Sequence, residues 1–236
     1  MENELSIVIP CKNEEKTIGL LLNSLLKQSY NIKDVPIYVA DAKSKDNTRR
    51  VVLSYNKILN IKIVSGGLPS KGRNSGARQS KSKYILFLDA DIILGNRKLI
   101  EKTIKIAKIR KLECVTTNIF PLEKDFFAYL LYTLNNLAQF LSKFHKPFAT
   151  GMFLLLERKR FSKLKGFNEK VHYAEDYFLT KKIKNRKFGI VFGYILTTNR
   201  RFKKMGYLNI AKRFFKVVIN SNSDNYFLKE DKEYWS

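Results

Sequence analysis

Four short apolar runs, recurring along the first hundred residues, constrain this chain most: SIVIP (residues 6–10), IYVAD (37–41), IKIVS (61–65) and YILFL (84–88). Runs of this length without polar alternation read as strands buried on both faces, the kind that helices must cover. Helical signals fall between them. Asn13 reads as a cap with Glu14 and Glu15 at the positive end of the helix dipole. Ile18, Leu21, Leu22, Leu25 and Leu26 then recur at intervals of three and four as one buried face. A second helix starts near Asp46 or Asn47, RNSGARQS gives a short third, and a fourth covers about residues 99–111. This alternation predicts an α/β sandwich with a mostly parallel central sheet flanked by helices.

The pattern continues past Cys114 with a strand CVTTNIF, a long apolar helix over about residues 125–143 and a strand TGMFLLLE. A helix over AEDYFLTKKIKNRK and a late strand FGIVFGY follow. With 236 residues and 44% apolar side chains there is material for a substantial core. The expected organisation is one domain over residues 1–216 and a polar tail over 217–236. Within the domain, residues 1–112 are read as a nucleotide-binding half and 113–200 as the half that completes the site.

Ligands of such sheets bind beyond the carboxyl ends of the strands, and Asp41 and Asp89 both stand there. In YILFLDADIIL the acids Asp89 and Asp91 are two residues apart, so their side chains point the same way and repel. A divalent cation relieves that repulsion, and Mg²⁺ is usually held by one or two carboxylates together with substrate phosphates. Two solvated acids in a loop are the plain alternative. SKGRNSGARQS has the glycine spacing of a phosphate loop from Gly67 to Gly72 but continues Arg73-Asn74, so the loop of a nucleoside triphosphatase is not supported.

The order and spacing of SIVIPCKNEEKTIGLLLNSLLKQSY, VADAKSKDNT, KGRNSGARQSKSKYILFLDADIIL, TGMFLLLERKRFSKLKGFNE and AEDYFLTKKI resemble the family 2 glycosyltransferases of the GT-A, Rossmann-like fold. The resemblance covers residues 6 to about 215. It implies an inverting enzyme that takes a sugar from a UDP- or GDP-linked donor, with Mg²⁺ or Mn²⁺ as cofactor. Asp41 matches the acid that contacts base or ribose, although DAKSKD departs from the usual pattern at Ala42 and Lys43. Asp91 matches the metal ligand, with Asp89 beside it and close to the ribose. Further donor contacts implied are Pro10, Asn13, Glu14, Lys71, Arg73, Asn74 and Ala90, with Arg200 and Arg201 in a loop over the diphosphate. Asp176 matches the general base, with Glu175 second to it.

The chain carries 45 Lys and Arg against 21 acids, a net charge of +24. Such a balance suits nucleic acid, an acidic lipid surface or a phosphorylated small molecule, or reflects only a lysine-rich composition. No nucleic-acid-binding motif is recognised, so no nucleic acid partner is expected. A nucleotidyltransferase, and a basic nucleic-acid-binding protein, are the rival readings. Cys11 and Cys114 form no metal or disulfide pattern, which fits a reducing, cytoplasmic setting. The isolated His145 and His172 carry no catalytic signal.

The start MENELSIVIP is unlike a signal peptide, and no run reaches the roughly 20 apolar residues of a membrane span. In FFAYLLYTLNNLAQFL, Asn135 and Gln139, followed by Ser142, share one side of a helix. The broad apolar remainder suits either burial against the domain or the surface of a membrane. Lys124, Lys143, Lys146 and the basic stretch 200–216 favour the membrane. Peripheral association with its inner face and a glycan or lipid-linked acceptor are therefore expected.

Overall fold

In the computed structural model, which describes residues 4–171, 173–220 and 223–228, the four apolar runs become β1 (Leu5–Cys11), β2 (Ile37–Asp41), β3 (Ile61–Ser65) and β4 (Tyr84–Leu88). Between them lie α1 (Ile18–Leu26), α2 (Thr48–Ser54) and α3 (Pro69–Gln79). The strands pair in parallel in the order β3-β2-β1-β4. The chain thus winds outward from β1 to β3 and then crosses back to place β4 on the other side of β1. A crevice opens at such a switch of direction, at the strand carboxyl ends.

The remaining elements are β5 (Ile92–Leu94), α4 (Leu99–Ile109), β6 (Cys114–Pro121), α5 (Phe126–Ser142), β7 (Phe153–Glu157), α6 (Arg158–Lys163), α7 (Glu175–Thr180), β8 (Phe188–Thr197), α8 (Arg200–Met205), α9 (Tyr207–Ile219) and α10 (Asp224–Phe227). β7 runs antiparallel between β4 and β6, β8 is parallel to β6, and β5 closes the edge antiparallel to β8. The full order is β3-β2-β1-β4-β7-β6-β8-β5. The three-residue β5 was not legible in the sequence. It matters because it pins the far end of the DAD loop, whose near end is held by β4.

One core cluster gathers the inner face of α1 with Ile7, Leu86 and Leu88, and a second lies on the opposite face of the sheet around Phe87. There the Phe87 ring meets Phe167 edge-on at 5.2 Å and Phe161 at 5.3 Å. Ile18, Leu21, Leu22 and Leu25 are fully buried as their spacing predicts, while Leu26 is only half-buried.

Two local expectations are corrected. Asn13 does not cap α1: it takes a left-handed conformation (φ 55°) and the helix begins five residues later, after Thr17. Its side chain is spent elsewhere, accepting from Lys45 N at 2.8 Å, and Glu15 accepts from Asn47 N at 2.9 Å. The groups that could have capped α1 hold the neighbouring loop instead. The helix expected over residues 174–187 stops at Thr180, where Lys182 and Ile183 donate back over three residues to Leu179 and Thr180. These tightened bonds end the helix before a separate short turn at Asn185–Lys187. Beyond residue 216, α9 runs on to Ile219 and α10 follows. His172 and residues 229–236 lie outside the described residues.

Candidate active site

The loops after β1 and β2 form one wall of the crevice and are stitched together by backbone donors. Asn13 N donates to Ser44 Oγ at 2.9 Å, Glu14 N to Thr48 Oγ1 at 2.7 Å and Glu15 N to Asp46 Oδ2 at 3.1 Å. Both loops turn through left-handed residues, Asn13 and Lys43. Asp41 is buried at the end of β2, where Oδ1 accepts from Ser44 Oγ at 2.5 Å and from Ser44 N at 3.2 Å. Ser44 was missed in the sequence, although it lies inside the DAKSKD motif. Gly72 lets α3 approach this wall: a Cβ there would stand 3.2 Å from Pro10 Cβ. Cys11 Sγ lies 3.9 Å from Asp41 Oδ1, and burial, then Asp41, push its thiol up to about 12. It is no nucleophile at neutral pH.

The centre of the site is Arg73, 3% exposed, projecting from α3. Its Nη2 donates to Asp89 Oδ1 at 2.7 Å and its Nη1 to Glu175 Oε1 at 2.5 Å. The guanidinium stands 5.4 Å from the Phe167 ring centroid, and Gly151 makes room for it, since a Cβ there would meet Nη2 at 2.4 Å. The two acids hold Arg73 firmly charged, and its Nε is buried with no hydrogen-bond partner among the described residues. One buried cation therefore ties the loop after β4 to helix α7. Replacing it with methionine strands two acids, and breaking a buried pair this way typically costs about 3–5 kcal/mol. Arg73→Met is expected to lose that much stability in urea denaturation, and a loss below about 1 kcal/mol overturns the structural role given to Arg73.

Asp91 sits opposite. Burial, then Asp89 and Glu14, raise its carboxyl to about 6, while Arg201 and Arg200 oppose the shift. Arg200 Nη2 lies 2.6 Å from Glu14 Oε1 and 3.8 Å from Asp91 Oδ2, and Thr198 Oγ1 reaches Asp91 at 3.4 Å. Nothing local in the sequence marks Thr198. Among the described residues no three His, Cys, Asp or Glu side chains converge as a complete metal cage. The donor set nevertheless fits Mg²⁺ or Mn²⁺: a buried acid whose charge is disfavoured, beside a second acid, in a crevice where a diphosphate can complete the coordination. Asp89 has one oxygen committed to Arg73, so Asp91 is the better placed of the two.

Helix α7 starts at Ala174, whose left-handed φ of 54° aims the following acids inward. Glu175 is buried on Arg73. Asp176 remains half-buried, accepting from Gly151 N through Oδ2 and from Tyr177 N through Oδ1, both at 2.7 Å. Burial and then Glu175 raise its carboxyl to about 7, against the pull of Arg73 and the two amides.

Glu14, Arg73, Asp89, Asp91, Glu175, Asp176 and Arg200 are thus brought together, with Asp41 at the end of the neighbouring strand. Asn74 turns aside: its amide accepts from Phe167 N at 2.9 Å and donates to Phe167 O at 2.8 Å, clamping the loop before α7. Ala90 is buried in the core cluster, while Lys71 and Arg201 are exposed.

The family model described as glycosyl transferase family 2 matches residues 6–165. The chain is 34% identical over 100 residues to poly(ribitol-phosphate) β-N-acetylglucosaminyltransferase TarS of Staphylococcus aureus, covering 41% of this chain and 18% of TarS. It is likewise 34% identical over 99 residues to the UDP-Glc:α-D-GlcNAc-diphosphoundecaprenol β-1,3-glucosyltransferase WfgD of Escherichia coli, covering 40% and 38%. The chain thus spans less than two fifths of either relative. The structure of TarS 1–349 in complex with UDP-GlcNAc superimposes with a TM-score of 0.65 at 22% identity, over 84% of this chain and 58% of that one. The mannosyltransferase PcManGT of Pyrobaculum calidifontis, in complex with GDP-Man and Mn²⁺, gives 0.68 at 18% identity, over 91% and 65%. At these identities the likeness of structures speaks for the fold.

Proposed function

The chain belongs to glycosyl transferase family 2 and has the GT-A fold, and on that premise we propose that it transfers a sugar from a UDP- or GDP-linked donor to an acceptor hydroxyl with inversion at the anomeric carbon. The observation that carries this reading is the bridge through Arg73, which joins Asp89, in the same loop as Asp91, to Glu175, the neighbour of the candidate base Asp176 on α7.

In this reading residues 1–112 bind the donor and 113–200 meet the acceptor, within one domain over residues 1–216. Asp41, fixed by Ser44, addresses the ribose or base, and Arg200 and Arg201 neutralise the diphosphate. Asp91, with Asp89 beside it, would hold the divalent metal. When bound, that ion stabilises the negative charge of the departing nucleoside diphosphate. Asp176 takes the proton of the acceptor hydroxyl as its oxygen bonds to the anomeric carbon and the bond to the diphosphate oxygen breaks. The relatives support both donor nucleotides, UDP-GlcNAc in the TarS complex and GDP-Man in that of PcManGT. WfgD, whose named acceptor is a diphosphoundecaprenol-linked sugar, supports a lipid-linked acceptor and with it peripheral association with the inner face of a membrane.

The test is a panel of UDP- and GDP-sugars with Mg²⁺ or Mn²⁺, analysed for products. Free nucleoside diphosphate from one donor is the expected result. Sugar 1-phosphate, the group left when the nucleotidyl part of the donor is transferred instead, sinks the proposal in favour of nucleotidyl transfer.

A further inference from the structure

Helix α5 is built inside out. Its inward side is polar or small: Ala128, Tyr132 and Gln139 are buried. Asn136 exchanges two hydrogen bonds with the backbone of Ile119. Its outward side is an apolar stripe in which Phe126, Leu130, Leu134, Leu137 and Leu141 recur at intervals of three and four, with Phe144 two residues past its end, each between 45% and 76% exposed. The polar edge that could have faced water is spent on β6, and the residues that should be buried are not. α9 lies alongside, with the Tyr207 ring 5.7 Å from that of Phe127, and adds the exposed Leu208, Phe215 and Ile219. A contiguous surface of this kind marks an interaction site.

We propose that this face of α5, extended by α9, docks on an anionic lipid bilayer. This rests on the transfer to a lipid-linked acceptor proposed above.

Charge selects this occupant. The acids at the start of the helix are turned inward, Asp125 onto Ala128 N and Asn199 and Glu123 onto Asn199 N. Cations rim the stripe instead: Lys124 is exposed at one end, and at the other Lys143 Nζ stands 5.1 Å over the Phe140 ring, a snorkelling arrangement. Exposed Lys212 and Lys216 continue the basic rim along α9. Apolar residues in the acyl boundary with cations at headgroup level is the composition of an interfacial helix. A second copy would bring its own charge of +24 against this rim and be repelled. No helix of the described residues is long and apolar enough to cross a membrane, so the contact is a surface one.

The face is also well placed for a lipid-linked acceptor. Gln139 Oε1, on the inward side of α5, accepts from Thr150 N at 3.3 Å, and the next amide, Gly151 N, donates to Asp176 Oδ2. Two consecutive loop residues, Thr150 and Gly151, therefore link the docking helix to the candidate base.

Cosedimentation of the full chain with equimolar phosphatidylglycerol and phosphatidylcholine vesicles, at low and high salt, tests the proposal. The wild type is expected in the pellet at low salt and partly released at high salt. Leu130→Asp with Leu137→Asp should lower partitioning more than about tenfold, since burying two leucines is worth at least that factor. Lys124→Glu with Lys143→Glu should weaken binding without touching the stripe. Wild type in the supernatant at both salts, or undiminished binding by the leucine pair, overturns the assignment. So does a wild-type dimer in light scattering that the leucine pair dissociates. Nucleotide-sugar turnover without vesicles, measured on the same preparations, separates the two ideas. Vesicle binding without turnover sinks the enzymatic reading alone, and turnover without vesicle binding sinks the docking surface alone.

Discussion

Replacing Asp176 with asparagine is expected to slow sugar transfer by about 10² to 10⁴-fold, the usual cost of losing a positioned base, with donor binding preserved. Asparagine keeps the shape but only one acceptor oxygen, so one of the amides of Gly151 and Tyr177 loses its partner, a local cost that leaves the donor side of the crevice in place. What is lost is a carboxylate tuned by burial and Glu175 to about 7, able both to accept a proton from a hydroxyl and to be ionised at working pH. Wild-type turnover should therefore climb through about pH 7 to a plateau, and the residual activity of Asp176→Asn should lack that limb. Stability carries the opposite sign. Because the folded carboxyl binds its proton more tightly than the unfolded one, its contribution is present at acid pH and lost as pH rises from the ordinary carboxylate range to about 7. Melting temperatures measured across that range should fall less for Asp176→Asn than for wild type. Near-normal kcat in the variant, or a product that retains the donor's anomeric configuration, removes Asp176 from this role.

How much of this was legible in the sequence follows from where the determinants lie. β2, β3 and β4 coincide with their apolar runs, because strands buried on both faces leave an unbroken hydrophobic signature. β5 left none: three residues cannot show a period, and its place is set by pairing with β8, about a hundred positions away in sequence. The acids of the site were legible as types at strand ends and a helix start. Their allegiances were not. Arg73 bridges Asp89 to Glu175, and Asn74 binds the backbone at Phe167, partners that no sequence pattern names. Which of two neighbouring acids a buried arginine takes depends on tertiary distances that local pattern does not encode. The same holds for α5, whose apolar positions were visible but whose exposed side was decided by Asn136 and Gln139 finding partners on β6 and the loop at Thr150.

Asp91→Asn should abolish metal-dependent turnover while leaving the fold intact or slightly firmer. A metal on the departing diphosphate contributes several kcal/mol of transition-state stabilisation, so a loss of about 10³-fold is expected, each factor of ten costing about 1.4 kcal/mol. The fold should not suffer, because in the free protein this carboxylate is under strain: burial, Asp89 and Glu14 all disfavour its charge, raising it to about 6. Neutralising it removes that repulsion, as a bound cation would. Asp89→Asn is the instructive contrast. Asp89 is Arg73's partner at 2.7 Å, so its loss should cost stability as well as rate. Melting curves with Mn²⁺ and UDP supply a readout independent of catalysis, since a ligand that binds only the folded state raises the melting temperature by mass action. Wild type should gain from the pair together, and Asp91→Asn should lose most of the gain due to Mn²⁺. Turnover that survives chelation with EDTA, or full activity in Asp91→Asn, shows that the acids after β4 serve some end other than holding a metal.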